Sequence, residues 1–233
     1  MAGFRKHIEV ASVGSAVLAT SILAASIVSP KEALMLWLGG TLGGILPDVD
    51  SDKSTSLNLV FGLLSFLLLC LALSQFSARL STLGIWVMMI AVYVALNRII
   101  RPVFEYFTVH RGVFHSLLSA AFFLFGITAA AHSVLGLSHF MSWMLGSFVF
   151  LGFVIHLVLD ELYSVDLSNV RIKRSFGSAL KLFEYKDLKS SALMFLAALG
   201  LFYLTPPIES FAHVASSVET YERIKNNFLP SYF

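Results

Sequence analysis

The sequence predicts an all-α polytopic membrane protein, a bundle of about seven transmembrane helices with a cytoplasmic N-terminus and an external C-terminus. Its 233 residues are 57% hydrophobic and only 13% charged, against about 25% charged in soluble domains. Several apolar runs reach about 20 residues, enough to cross roughly 30 Å of hydrocarbon. A soluble domain of this length could not bury so much apolar surface, and a net charge of +2 is too small to indicate a nucleic-acid partner.

Seven apolar runs account for the predicted helices. They cover 8–28, 33–46, 57–75, 81–99, 114–135, 140–160 and 190–207. The first run resembles a secretory signal, but its length and Glu9 near its start favour a retained helix. The second is short and glycine-rich, so a re-entrant segment is the alternative to a thin span. Its small residues would let neighbouring helices approach closely.

Lysine and arginine positions set the predicted orientation. If all seven runs cross from a cytoplasmic N-terminus, the cytoplasmic side holds twelve basic residues: Arg5, Lys6, Lys53, Arg98, Arg101, Arg111, Arg171, Lys173, Arg174, Lys181, Lys186 and Lys189. The other side holds Lys31, Arg79, Arg223 and Lys225. This excess of cytoplasmic positive charge supports seven crossings. If the second run did not cross, every later loop would change sides and the excess would be lost.

We predict one transmembrane domain over 1–207, with a basic cytoplasmic linker at 161–189, and a C-terminal tail over 208–233 that forms a short external helix. The linker is expected to lie against anionic lipid, to which each basic residue contributes about 1 kcal/mol. Recruitment of an anionic substrate is the alternative role. The single cysteine, Cys70, excludes an intrachain disulfide.

A turn after the second run carries the first cluster of ionisable residues. Its sequence is Leu46-Pro47-Asp48-Val49-Asp50-Ser51-Asp52-Lys53, in which the proline ends the preceding helix. If the stretch that follows is extended, Asp48 and Asp50 point the same way, and Asp52 could join them. Neighbouring carboxylates repel each other, so a cation would neutralise them. The alternative is a solvated cap or turn.

Two histidines flank an arginine and a glycine in His110-Arg111-Gly112-Val113-Phe114-His115-Ser116. A separation of five residues puts the two imidazoles about 140° apart on a helix. They can converge only if His110 lies in a loop and His115 in the first helical turn, with the bend at Gly112. A helix cap or a packing role is the alternative for either histidine.

His156 and Asp160 form the third motif. Their i, i+4 spacing places both side chains on one helix face. A hydrogen bond between them inside a buried helix is one interpretation. Metal coordination is the other, since imidazole and carboxylate suit zinc, manganese or iron.

The predicted topology brings these motifs, and His7 at the start of the first helix, to the cytoplasmic face. The candidate metal ligands are His7, Asp48, Asp50, His110, His115, His156 and Asp160. A catalytic zinc takes three protein ligands and a water, so seven candidates suggest two ions. Three further histidines fall toward the opposite face and serve as negative controls: His132, His139 and His213.

At these motifs the chain resembles the LexA-regulated, inner-membrane metal-dependent hydrolases of the YdjM type. The family pattern of an early His, LPD-x-D, HRG-x-x-HS and H-x-x-x-D matches residues 3–165 in order and spacing. Ser51, Phe114 and Tyr163 depart from the His, Thr and Thr common in the family. The resemblance implies a multi-pass protein of the bacterial inner membrane with its site facing the cytoplasm. The ligand set is also similar to that of zinc-dependent phospholipase C.

The expected activity is hydrolysis of a phosphoester or lipid-linked substrate by a metal-bound hydroxide. The cofactor is expected to be two zinc ions, with manganese or magnesium as alternatives. Asp48 or Asp160 would act as general base. Arg111 and Lys53 would stabilise the developing negative charge, although Arg111 is equally explained as a topology marker.

Two other classes of protein remain open. A divalent-cation transporter would place its ligands near the bilayer midplane and open to both sides. A structural membrane protein would use the metal to staple helix ends. Substitution of His115 or Asp160 by alanine separates these classes, because an enzyme loses turnover while folded and a metal-stapled protein loses stability.

Overall fold

The structure of the protein, a computed structural model, describes residues 4–50, 55–102, 113–166, 171–172 and 180–228. Within these ranges nearly all regular structure is helical, which confirms the predicted all-α class. The helices in chain order are α1 (Phe4–Ala24), α2 (Pro30–Gly43), α3 (Thr55–Phe76), α4 (Thr82–Val94), α5 (Leu117–Ser133), α6 (His139–Ser164), α7 (Leu188–Tyr203), α8 (Glu209–Ser216) and α9 (Val218–Phe228).

The chain forms two compact units. The larger combines Met1–Pro47 with His115–Phe233, and the smaller is Asp48–Phe114. Besides its helices, the larger unit contains a two-residue antiparallel pair in the predicted linker, formed by β1 (Val165–Asp166) and β2 (Arg171–Ile172).

Within the larger unit, α1, α2 and α5 all pack against α6. Glycines allow the backbones to approach: a Cβ added at Gly152 would lie 1.8 Å from the carbonyl oxygen of Gly40, and one at Gly43 would lie 2.1 Å from that of Val149. Small residues at helix interfaces permit this approach in membrane proteins. The prediction that the glycine-rich second run draws helices together is confirmed.

The turn after α2 differs from the prediction. The helix ends before Pro47, as predicted, but Leu46–Asp50 forms a 3-10 helix and not an extended stretch. Around a 3-10 axis, residues two apart are separated by about 120°. The backbone argument that placed Asp48 and Asp50 on one side is therefore wrong.

Three helices among the described residues are long and apolar enough to cross a membrane: Phe4–Ala24, Thr82–Ile100 and His139–Tyr163. The apolar helices α5 and α7 are shorter. With 14 residues, α2 is about 21 Å long, less than the roughly 30 Å of a hydrocarbon core. Seven crossings and the orientation derived from them stay predictions.

Over its described residues 55–102, the smaller unit has two apolar helices joined by hydrogen bonds between polar side chains. Its second helix, α4, continues through a π-helical segment, Ala95–Ile100. Asn97 Nδ2 donates a hydrogen bond to Ser65 Oγ at 3.0 Å, and Arg101 donates one to Asn58 Oδ1 at 2.7 Å. Such bonds between apolar helices satisfy polar groups where lipid offers no partner.

The C-terminal tail forms two short helices, α8 and α9, and not the single one expected. Trp143 of α6 donates from its indole Nε1 to the carbonyl oxygen of Pro206 at 2.9 Å, and its ring lies 6.2 Å from that of Phe211. Ile224 of α9 packs against the apolar core of the larger unit. The tail is thus attached to the helix bundle near the start of α6.

Candidate metal site

Four predicted ligands meet in the larger unit, where α1 and α5 begin and α6 ends. His7 lies at the end of the first turn of α1, and His156 and Asp160 lie in the last turns of α6. His115 precedes Ser116, which caps α5, so the expected position in the first helical turn is wrong by two residues. Because α1 and α5 both pack against α6, these chain segments come together at one end of the bundle.

The Asp160 carboxylate is the centre of this cluster. Its Oδ1 lies 3.3 Å from His7 Nε2, and its Oδ2 lies 3.6 Å from His156 Nε2 and 3.9 Å from His115 Nε2. Ligands held at about 2.0–2.1 Å from a tetrahedral zinc are themselves about 3.3–3.4 Å apart. Two of these separations exceed a normal hydrogen bond, and all three are near the spacing of ligands that share one ion.

The imidazole rings are packed against one another. The His7 and His156 rings stack with centroids 3.7 Å apart and planes 14° apart, and His115 stands edge-on to His156 at 5.7 Å. One ligand atom from each of His7, His156 and Asp160 lies within 4.8 Å of the others. Their nitrogens and oxygens can therefore reach one cation together.

Burial makes a positive partner necessary for the carboxylate. The exposed fractions of His7, His156 and Asp160 are 2%, 0% and 4%, whereas the His115 side chain is 14% exposed. A buried carboxylate is costly unless it is paired or coordinates a metal. His115 is the member of the cluster that a solute can approach most readily.

The carbonyl of Gly44 orients His156. His156 Nδ1 lies 2.8 Å from this oxygen, and because a carbonyl only accepts, Nδ1 donates. In the neutral ring, Nε2 then carries a lone pair directed toward the Asp160 carboxylate. Because two hydrogen-bond acceptors repel each other, a cation between them would stabilise this arrangement. A histidine whose second nitrogen donates to a backbone carbonyl is the usual arrangement of a metal ligand.

His7 gives independent support for a ligand at this position. Its Nδ1 is buried and has no hydrogen-bond partner among the described residues, whereas buried polar atoms nearly always have one. Three imidazoles and one carboxylate form a donor set that suits zinc or manganese better than calcium, which prefers oxygen. The residues present therefore fit a divalent transition metal.

The other predicted site residues fall in the smaller unit. Asp48 begins the smaller unit, and its side chain is partly exposed. Outside the described residues lie the side chain of Asp50 and the whole of Asp52, Lys53, His110 and Arg111. Their roles as ligands, general base or anion-binding groups stay predictions.

The control histidines lie elsewhere, as predicted. His132 Nδ1 is 3.0 Å from the carbonyl oxygen of Leu137, and its ring is 4.9 Å from that of His139. His139 begins α6, 21 residues before Asp160, which corresponds to about 31 Å along the helix. His213 lies on α8, near the same end of α6.

Two neighbours of the cluster were not predicted. One is the Gly44 carbonyl. The glycine-rich run predicted only that neighbouring helices approach closely there. The other is a pair that joins α1 to α6: Lys6 Nζ donates to the Tyr163 hydroxyl at 2.9 Å and lies 5.3 Å from its ring centroid. In the sequence, Tyr163 stands out only as a departure from the family pattern.

Together, the apolar helices and the buried histidine–aspartate cluster define a helical membrane protein with a candidate metal site. A model of the YdjM inner membrane protein family matches residues 11–168. The match covers more than half of the chain, and the protein belongs to this family, which confirms the predicted resemblance. It includes His115, His156 and Asp160 and begins four residues after His7. No curated protein and no solved structure matches the chain significantly.

Proposed function

We propose that the protein is a metal-dependent hydrolase of the bacterial inner membrane that acts on a phosphoester or lipid-linked substrate at the cytoplasmic face. The observation that carries this proposal is the convergence of three imidazole nitrogens on one buried carboxylate, at 3.3–3.9 Å. The excess of basic residues on the predicted cytoplasmic side supports the orientation.

In this proposal His7, His115, His156 and Asp160 hold one divalent ion, with zinc preferred over manganese or magnesium. A second ion would need ligands from Asp48, Asp50 and His110. Asp48 follows Gly44 by four residues, so the chain segment that orients His156 leads directly into the aspartate turn.

A bound divalent cation supplies a Lewis acid and a water that ionises near neutral pH. The chain provides the remaining functions. The Gly44 carbonyl fixes the His156 ring, and the burial of His7, His156 and Asp160 keeps bulk water from competing for the ligands. His115 marks the side from which the substrate approaches. Asp48 accepts a proton from the attacking water, and Arg111 and Lys53 bind the negative charge of the substrate.

A metal-stapled structural protein is the second candidate, and the near-complete burial of three ligands favours it. An ion at this position would join α1 and the segment before α5 to α6. A transporter has less support, because the cluster lies near one end of α6 and not at its centre.

Substitution of His115 separates the two leading candidates. We would purify the full chain and its His115→Ala and His139→Ala variants in nanodiscs, then measure bound metal, thermal stability and hydrolysis of bis(p-nitrophenyl) phosphate. An enzyme loses turnover in His115→Ala and keeps most of its Tm, and His139→Ala behaves as wild type. A large loss of Tm with no turnover in the wild type would support the staple. No bound metal in any preparation would contradict both.

A further inference from the structure

An apolar groove of about 640 Å³ lies in the larger unit between the start of α5, the loop that precedes α7, and α7 itself. Its walls are chiefly Leu117, Leu118, Leu182, Phe183, Leu188 and Phe195. This volume is within the roughly 300–1,000 Å³ of typical small-molecule sites. Leu182 and Leu188 are more than half exposed, so apolar side chains that line the groove are left uncovered by the rest of the protein.

The groove is held open by hydrogen bonds on both of its sides. The N–H groups of Leu117 and Leu118 donate to the carbonyl oxygens of Lys181 and Leu182 at 3.0 and 2.9 Å. On the other side, Ser191 Oγ donates to the carbonyl oxygen of Glu184 at 3.0 Å. The loop is thus tied to both α5 and α7, and a ligand would enter a preformed site at little conformational cost.

Two features indicate what occupies the groove. The first is continuity with the metal site, because Leu117 follows His115 by only two residues. The second is charge. Lys181 pairs with Glu184, whereas Lys186 and Lys189 are exposed beside the groove-lining Leu188. An apolar cavity flanked by exposed cations is complementary to a molecule with a hydrocarbon chain and an anionic head.

We propose that this groove binds an acyl chain of an anionic phospholipid and so presents its phosphate ester to the His115 side of the metal site. That the lipid is the substrate rests on the proposed hydrolase function, whereas lipid binding in the groove does not. A neutral lipid or a second copy of the chain is the competing occupant.

The test uses phosphatidylglycerol that carries a spin label on its acyl chain, with the full-length protein in vesicles. The Asp160→Asn background prevents turnover during the measurement. Ala192→Trp fills the groove, and Ala197→Trp, an equally exposed position on α7 about 140° around the helix, is the matched control. We expect a motionally restricted lipid component that is lost in Ala192→Trp and kept in Ala197→Trp. Leu182→Asp, in the loop, is expected to reproduce the loss if Ala192→Trp does not fold.

Three outcomes would overturn the proposal. The restricted component could survive both groove substitutions, it could be equally large with labelled phosphatidylcholine, or Ala192→Trp could change the oligomeric state and leave the lipid signal intact. Turnover of bis(p-nitrophenyl) phosphate tests the hydrolase separately. Lipid binding without any turnover in the wild type would refute the hydrolase and keep the lipid site, whereas turnover without lipid binding would do the reverse.

Discussion

The two ends of α6 both carry histidines in ring contact, yet they differ in chemistry. At its start (the far end), His132 and His139 pack edge to face, His139 is exposed, and among the described residues no carboxylate joins them in a group of three ligand atoms. Where α6 ends (the near end), His7 and His156 stack beside the buried carboxylate of Asp160. Histidine proximity alone therefore does not make a metal site, and the buried acid is what distinguishes the two ends.

The largest expected contrast is between alanine substitutions at His156 and His139, which lie on the same helix. Because even residues that only support a ligand contribute 10–100-fold to metal affinity, we expect His156→Ala to weaken binding by more than about 100-fold. It also leaves the Asp160 charge with fewer partners, which we expect to cost about 3–5 kcal/mol. A chelator competition assay and thermal unfolding measure both effects. His139→Ala should change neither, and equal losses in the two variants would abolish the distinction between the helix ends.

Excess chelator is expected to remove only the stabilisation that a metal bound at the near end of α6 provides. A ligand at 100 times its Kd stabilises the folded state by about 2.7 kcal/mol. The Tm of the metal-loaded wild type should fall by the corresponding amount in excess chelator, as followed by intrinsic fluorescence. The His156→Ala variant should show no such shift, and a shift of equal size would place the metal elsewhere.

A third prediction concerns Gly44, whose carbonyl orients His156 at the near end of α6. A Cβ at Gly44 would lie 2.3 Å from that of Ala11, so Gly44→Ala must move the carbonyl that orients His156. We expect a loss of about 1–3 kcal/mol in stability and about 10–100-fold in metal affinity. Gly200 of α7 has open space around it. Gly200→Ala is the control and should stabilise by at most about 1 kcal/mol. Similar metal affinities in the two variants would refute the role of Gly44.

The smallest effect, on the pH dependence of Tm, is expected away from both ends of α6, in the loop before α7. The Lys181 side chain, which donates a hydrogen bond to Glu184, lowers the pKa of that carboxyl below its ordinary value of 4.5. Because the folded pKa is the lower one, the stabilisation is present above pH 4.5 and is lost as pH falls through the folded pKa. Between about pH 6 and pH 3, Tm should fall less in Glu184→Gln than in the wild type. Glu209→Gln is the control, and identical slopes in all three proteins would contradict this role.

The sequence contained much of the site but not its geometry. The i, i+4 spacing of His156 and Asp160 fixed one helix face, and His115 was identifiable from its motif. Whether His7 reaches Asp160 depends on how α1 packs on α6, which no local pattern specifies. The orienting bond from His156 to Gly44 involves a backbone carbonyl, and any residue type supplies one.

The fold was predictable in class and less so in detail. Low charge and long apolar runs were sufficient for a helical membrane protein. The turn at Leu46–Asp50 differs from the predicted extended stretch because proline allows both an extended and a 3-10 continuation. The second helix lies three residues earlier than the run 33–46, because α2 spans Pro30–Gly43, the same 14 residues in length, and its C-terminal glycines form the close contacts with α6.

X-ray absorption at the metal edge of the zinc-loaded protein tests the central claim most directly. We predict a first shell of nitrogen and oxygen at about 2.0–2.1 Å with the outer-shell scattering of three imidazoles, reduced to two imidazoles in His115→Ala and unchanged in His139→Ala. A shell containing sulfur, a shell of oxygen alone, or an imidazole count that falls in His139→Ala would contradict the account.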